Sequence, residues 1–303
     1  MTGTQTRIHL FGTTRVTRDG TPVDGKALEG VKPRQVLSIL ALEAGSPVPK
    51  DRLAELLWDG APPRSYSGTL ESYVCLVRRH LGLRGRDSGL ATVLHGYVLD
   101  PEKLPVDLTD FHRLIGPGGA GRHGCDRERL AAVEAALELV TGELLASEAY
   151  SPWAEQERTR FAAAVVAATV DAAGCALRLQ EGERALSLAR AAVRHGGFDE
   201  AAWRVLINAL DATGRGAEAL RAYVRLTELL ASELGTTPSP ETTRCYLDVL
   251  ARNDDRSPRG SAGEELHLLL RLVRDRMHSV PGVDLPTADR GLGQLVAAIP
   301  SLG

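Results

Sequence analysis

Arg78 and Arg79 close a segment that also carries Ser67, Thr69, Ser72 and Tyr73, and a histidine, His95, follows beside Gly96. Guanidinium groups donate bidentately to phosphate or to the O6 and N7 of guanine, and hydroxyls donate to phosphate oxygens, so this set suits a DNA duplex. The same arginines would also serve as the solvated end of a helix. His95 is either a plain turn residue in solvent or one that reaches a minor groove. Other chemistries find no support. Gly20, Gly25 and Lys26 nearly spell a phosphate-binding loop, but Ala27 stands where a magnesium-ligating Ser or Thr is needed, and Gly30 interrupts the helix that should follow. Gly116, Gly118 and Gly121 have the spacing of a dinucleotide fingerprint, yet they follow a helical pattern rather than a strand and read as a linker. Ser/His/Asp spacings, paired acids and metal clusters are missing from the sequence. Cys75, Cys125, Cys175 and Cys245 are far apart with no Cys-x-x-Cys pair, which points to buried or half-buried thiols rather than zinc ligands or disulfides. No catalytic residue, cofactor or metal is expected, and the chain does not read as an enzyme.

The elements that must hold the basic segment are legible as patterns. Ile8 and Leu10 alternate with Arg7 and His9, and Val16 precedes an Asp19-Gly20 pair suited to a tight hairpin, so strands come first. Pro33 fits the first turn of a helix carrying Val36, Leu37, Leu40 and Ala44, which stops at Gly45 and Pro47. A second helix runs from about Asp51 with Leu53, Leu56 and Leu57 inward, ended by Gly60 and Pro62-Pro63. A third spans about Tyr66 to Leu81, where Leu70, Val74, Val77 and Leu81 form one apolar stripe and the hydroxyls and arginines take the other side. Ala91–Leu94 and Tyr97–Asp100 flank His95-Gly96 as a hairpin. Strands, three helices and a closing hairpin make a winged helix, whose third helix enters the major groove while the hairpin lies along the backbone.

From Asp107 onward strand signals cease. Gly182, Ala185 and Leu186 recur as Gly216, Ala219 and Leu220, and Ala167-Ala168 as Ala201-Ala202, an offset of 34 residues. That is the tetratricopeptide period, one helical hairpin per unit; a plain helical bundle is the alternative. After a polar stretch over 254–263, Leu266, Leu269, Leu270, Val273 and Met277 form one further amphipathic stripe. The expected fold is mainly α: an N-terminal winged helix (α+β) over 1–104, an all-α tetratricopeptide-like repeat domain over 107–253, and a C-terminal extension over 254–303.

Two domains suit 303 residues at about 150 per domain. The first hundred residues hold 13 Lys+Arg against 10 Asp+Glu, while the whole chain is −3, so a slightly basic head sits on an acidic body. No signal peptide and no run of about eighteen apolar residues is visible, which implies a cytoplasmic protein without a membrane partner.

Several segments together resemble the Streptomyces antibiotic regulatory protein family. They are Lys32-Pro33-Arg34-Gln35, Asp51-Arg52-Leu53 through Leu56-Leu57-Trp58, Tyr73-Val74 with Arg78-Arg79-His80-Leu81-Gly82, and Gly96-Tyr97-Val98-Leu99. Trp153-Ala154-Glu155 with Glu157-Arg158, Gly214-Arg215 with Glu218-Ala219-Leu220 and Tyr223, and Glu233-Leu234-Gly235 with Pro238 and Pro240-Glu241 resemble that family's bacterial transcriptional activation domain. The resemblance covers about residues 7–253. It implies a pathway-specific activator of a secondary-metabolite gene cluster that binds promoter direct repeats, pairs head to tail on DNA and recruits RNA polymerase holoenzyme. Ser67-Gly68 and Val93 stand where the family commonly has an Arg-Asn pair and a wing arginine, so operator preference is this chain's own. The competing reading is a helical repeat adaptor whose winged helix makes only protein contacts.

Overall fold

The computed structural model describes residues 5–23, 30–83, 89–116 and 125–256. The near-match at Gly25-Lys26, the linker glycines Gly118 and Gly121 and the stripe over 266–277 lie outside them.

The chain opens with an antiparallel sheet, β1 (Thr6–His9), β2 (Arg15–Arg18) and β3 (Thr21–Pro22), in which Arg18 pairs with Thr21. Asp19 and Gly20, the two residues between, both take positive φ, 50° and 79°, which is the backbone a two-residue hairpin of this hand requires. Helix α1 (Val31–Leu42) buries Val36, Leu37 and Leu40, with Pro33 in its first turn where a missing N–H costs nothing. A short strand β4 (Val48–Pro49) leads into α2 (Lys50–Leu57), which ends at Asp59 and Gly60, both with positive φ. Helix α3 (Tyr66–His80) buries Leu70, Val74 and Val77, and Leu81 at its end is buried too.

A second antiparallel sheet follows in the order β4, β6 (Gly96–Leu99), β5 (Leu90–Val93). Val93 pairs with Gly96, so the turn is Leu94-His95, one residue earlier than the sequence pattern suggests. The reason is packing: a Cβ on Gly96 would lie 2.2 Å from the carbonyl oxygen of Val48. The glycine therefore serves the close approach of β4, and His95 supplies the turn's positive φ of 66°.

Beyond Leu99 the described elements are helices, α4 (Asp107–Ile115), α5 (Asp126–Glu138), a 3-10 turn (Ala146–Glu148), α6 (Pro152–Arg178), α7 (Gly182–His195), α8 (Glu200–Ala212), α9 (Gly216–Leu234) and α10 (Pro240–Arg256), apart from isolated bridges that Val106 and Leu144 make to Ile8 and Phe11. Local chemistry sets their ends. Glu128 accepts from the Cys125 amide before α5, Asp199 accepts from the Ala201 and Ala202 amides before α8, and Gly235 takes a left-handed conformation after α9. Helix α6 is long and apolar enough to cross a membrane by length and composition alone, whereas no run of about eighteen apolar residues is expected from the sequence. It packs against α5, α7 and α8, and its Asp171 pairs with Arg129 of α5 at 2.6 Å.

The core does not stop at residue 104. One cluster of buried side chains runs from Ile8 and Phe11 through Val36, Leu70 and Leu99 to Val106, Phe111, Leu144 and Val165. The Ile8 amide donates to Pro105 O, the Gly12 amide to Glu143 O, and the Leu145 amide to Leu10 O. Phe11, Phe111 and Phe161 form a ring triangle with centroids 4.9–6.3 Å apart. Two buried carboxylates complete the seam. Asp107 accepts from the amides of Leu10, Phe11 and Leu108, and Glu148 accepts from Arg34 Nε and Gln35 Nε2 at 3.0 and 2.9 Å.

Of the four cysteines, Cys175 is buried and Cys245 half-buried as expected, but Cys75 and Cys125 are exposed. Cys75 falls on the side of α3 away from the Leu70–Val74–Val77 stripe, and Cys125 caps a helix end.

Candidate nucleic-acid interface

Because the apolar stripe fixes the inward side of α3, its outward side is determined as well. The exposed residues are Ser67, Gly68, Glu71, Ser72, Cys75 and Arg79, a band at helical spacing along the axis. Three of the residues expected to face DNA, Ser67, Ser72 and Arg79, lie on that band. Thr69 and Tyr73 are half-buried on its flank. Tyr73 stacks on Trp58 with centroids 6.5 Å apart, and the Thr69 hydroxyl donates to Ser65 O.

Arg78 is half-buried at the edge of the band. Its Nε and Nη2 donate to Leu90 O at 3.1 and 3.0 Å, and Nη2 also donates to Thr92 Oγ1 at 2.9 Å. The guanidinium thus straps the C-terminal half of α3 to β5. At the other end, the Lys50 amide donates to His95 O at 2.8 Å, which ties the start of α2 to the hairpin turn. His95 and Leu94 are exposed at the tip of that turn. The hairpin is thus held to α3 through Arg78 and to α2 through the Lys50 amide.

Sequence reasoning missed Lys50, Glu71 and Cys75. Lys50 Nζ donates to Glu71 Oε1 at 2.7 Å and to Ser67 Oγ at 3.4 Å, and lies 5.9 Å from the centroid of the Tyr97 ring. The hydrogen bond to Glu71 holds the ammonium pKa above the usual lysine value. Nearby, the Tyr66 hydroxyl donates to Asp51 Oδ1 at 2.6 Å, which raises the phenol's pKa. Burial lowers the pKa of His80 at the end of α3, with Arg18 adding to the effect, which favours the neutral ring at this buried position. The period of the helix could have found Glu71 and Cys75. Lys50 is legible only once α2 and α3 are packed together.

Metal chemistry has no site among the described residues, where no group of three or more His, Cys, Asp or Glu side chains could hold an ion. The arrangement instead offers hydroxyls and a guanidinium on the exposed side of α3, with a lysine–glutamate pair between α2 and α3 and a hairpin nearby, groups able to hydrogen-bond to the edges and phosphates of a duplex.

The bacterial transcriptional activator domain matches residues 106–250. Over 244 residues the chain is 31% identical to the regulatory protein DnrI of Streptomyces peucetius, an alignment covering 77% of this chain and 88% of DnrI. It is 29% identical over 259 residues to the transcriptional regulatory protein EmbR of Mycobacterium tuberculosis, covering 84% of this chain and 65% of EmbR. It is 28% identical over 239 residues to the transcriptional regulator RedD of Streptomyces coelicolor, covering 76% of this chain and 67% of RedD. A solved structure of Mycobacterium tuberculosis EmbR in complex with a low affinity phosphopeptide superposes with a TM-score of 0.70 at 25% identity, over 89% of this chain and 70% of that one. With these matches across both halves, the chain belongs to the Streptomyces antibiotic regulatory protein family and is a transcriptional regulator.

Proposed function

We propose that the protein is a pathway-specific activator of a secondary-metabolite gene cluster, acting in the cytoplasm on promoter direct repeats. The outward band of α3, with Ser67, Ser72 and Arg79 at its centre and Thr69 and Tyr73 at its flank, lies in the major groove. The β5–β6 turn carries His95 toward the neighbouring backbone and minor groove. The observation that carries this reading is the pair of ties, Arg78 to Leu90 O and Lys50 N to His95 O, which fix the hairpin against α3 and against the start of α2. Residues 107–253 supply the surface for RNA polymerase holoenzyme. A tetratricopeptide-like arrangement of α6–α10 is supported by the 34-residue offset between the starts of α7 and α9 and by the close approach at Gly182, where a Cβ would meet Thr213 Cγ2 at 3.0 Å.

The test is binding of the full chain to duplex DNA at low salt, followed by footprinting on the promoters of the neighbouring genes. Protected direct repeats and a steep fall of affinity with salt are expected. No binding even at low salt would give the chain to the adaptor reading instead.

A further inference from the structure

A carboxylate in the middle of a face that meets DNA needs a reason. Duplex DNA carries one negative charge per roughly 1.7 Å of axis, so an unpaired glutamate there is repelled from every sequence alike. Glu71 occupies that position with its side chain 61% exposed, one turn after Ser67 and one before Cys75. It belongs to the N-terminal half of α3, the part of such a helix that contacts base edges. Lys50, its side chain 25% exposed, reaches across from α2 to hold Oε1 at 2.7 Å. The result is an acceptor and a donor side by side, and together they carry no net charge.

Resting on the DNA-binding reading above, we propose that the Lys50–Glu71 pair is a specificity element that reads one C·G base pair in the major groove. Glu71 accepts from N4 of the cytosine, and Lys50 donates to O6 or N7 of the paired guanine. The match is by hydrogen-bond pattern. Cytosine presents a donor and its guanine two acceptors, so the pair meets a complementary edge. Adenine also offers an amino donor, but its N7 acceptor lies beside it on the same base and repels a carboxylate. Thymine presents only an acceptor and a methyl group. Lys50 removes the penalty that the phosphates would otherwise impose on Glu71, and its three N–H donors suffice for Glu71, Ser67 and one guanine atom.

The experiment is selection from a randomised duplex pool with the full-length protein, its Glu71→Gln variant and its Lys50→Met variant, then titration of single-base substitutions of the enriched duplex. Glu71 is exposed, so the glutamine variant should fold as the parent does, and circular dichroism checks this. The expected result is one C·G position whose replacement weakens wild-type binding on the order of five- to 150-fold. Glu71→Gln should switch that position toward A·T, because a carboxamide pairs with N6 and N7 of adenine, and Lys50→Met should relax preference there alone. If Glu71→Gln tightens binding to all duplexes by one common factor and the enriched motif is unchanged, the carboxylate merely repels phosphate and the proposal is overturned. Enrichment of no sequence by the wild-type protein would overturn the DNA-binding reading itself, and this inference with it.

Discussion

Arg78 has hydrogen-bond partners within the fold as well as the chemistry to meet DNA. An arginine at the end of a recognition helix is a natural base or phosphate reader, but this guanidinium is engaged by Leu90 O and Thr92 Oγ1. Arg78→Ala should therefore lower stability by about 1–2 kcal/mol and weaken binding to every duplex by a similar factor. Arg79→Ala, at an exposed position one residue on, should leave stability unchanged and make the salt dependence shallower by about one unit of slope. Salt-titrated anisotropy and urea unfolding separate the two, and a change of base preference in Arg78→Ala would return that residue to base reading. The sequence marks the hydroxyl and basic residues by type, and the Leu70–Val74–Val77 stripe orients them. It does not mark Lys50, which meets Glu71 across 21 positions of chain, because nothing local encodes how α2 lies against α3.

Among elements, the helices and the Asp19-Gly20 hairpin were legible because each is dictated by a period or by a positive-φ pair within a few residues. The seam between the first hundred residues and the helices after them was not. Phe11 meets Phe111, and Leu10 meets Asp107, across nearly a hundred residues, and an apolar side chain in a strand does not announce which partner will cover it. Covering matters here: a chain ending at 104 loses Val106, Phe111, Leu144 and Val165 from the core and leaves the Leu10 and Phe11 amides without their acceptor. Such a fragment is predicted to unfold at markedly lower urea than one ending at 178, although both contain all of α3. In the full chain, Asp107→Ala should cost about 2–4 kcal/mol because the buried amides of Leu10, Phe11 and Leu108 lose their acceptor, and Asp107→Asn less because one acceptor oxygen remains. Equal urea midpoints for the two fragments would mean that the seam adds nothing to the fold of the DNA-binding part.

For the whole molecule the question is how copies assemble. Direct repeats demand the same orientation twice, so contacts between neighbours are head to tail and need not close into a symmetric dimer. The protein is predicted to be monomeric in solution and to bind cooperatively when two half-sites lie about one helical turn, roughly 34–36 Å, apart. Inserting about five base pairs between half-sites should abolish the cooperativity and a full turn should partly restore it; light scattering and binding isotherms on the spaced duplexes check both. The common core has a bearing on how such regulators are recombined. A chimera cut near residue 104 severs the phenylalanine triangle and the acceptors of β1, so the donor's DNA-binding part arrives without the surface it was packed on. Transplanting only the outward positions of α3, with Lys50 carried along beside Glu71, leaves every buried contact in place. On the proposed DNA-binding reading, operator preference would be portable as a patch of side chains, not as a module.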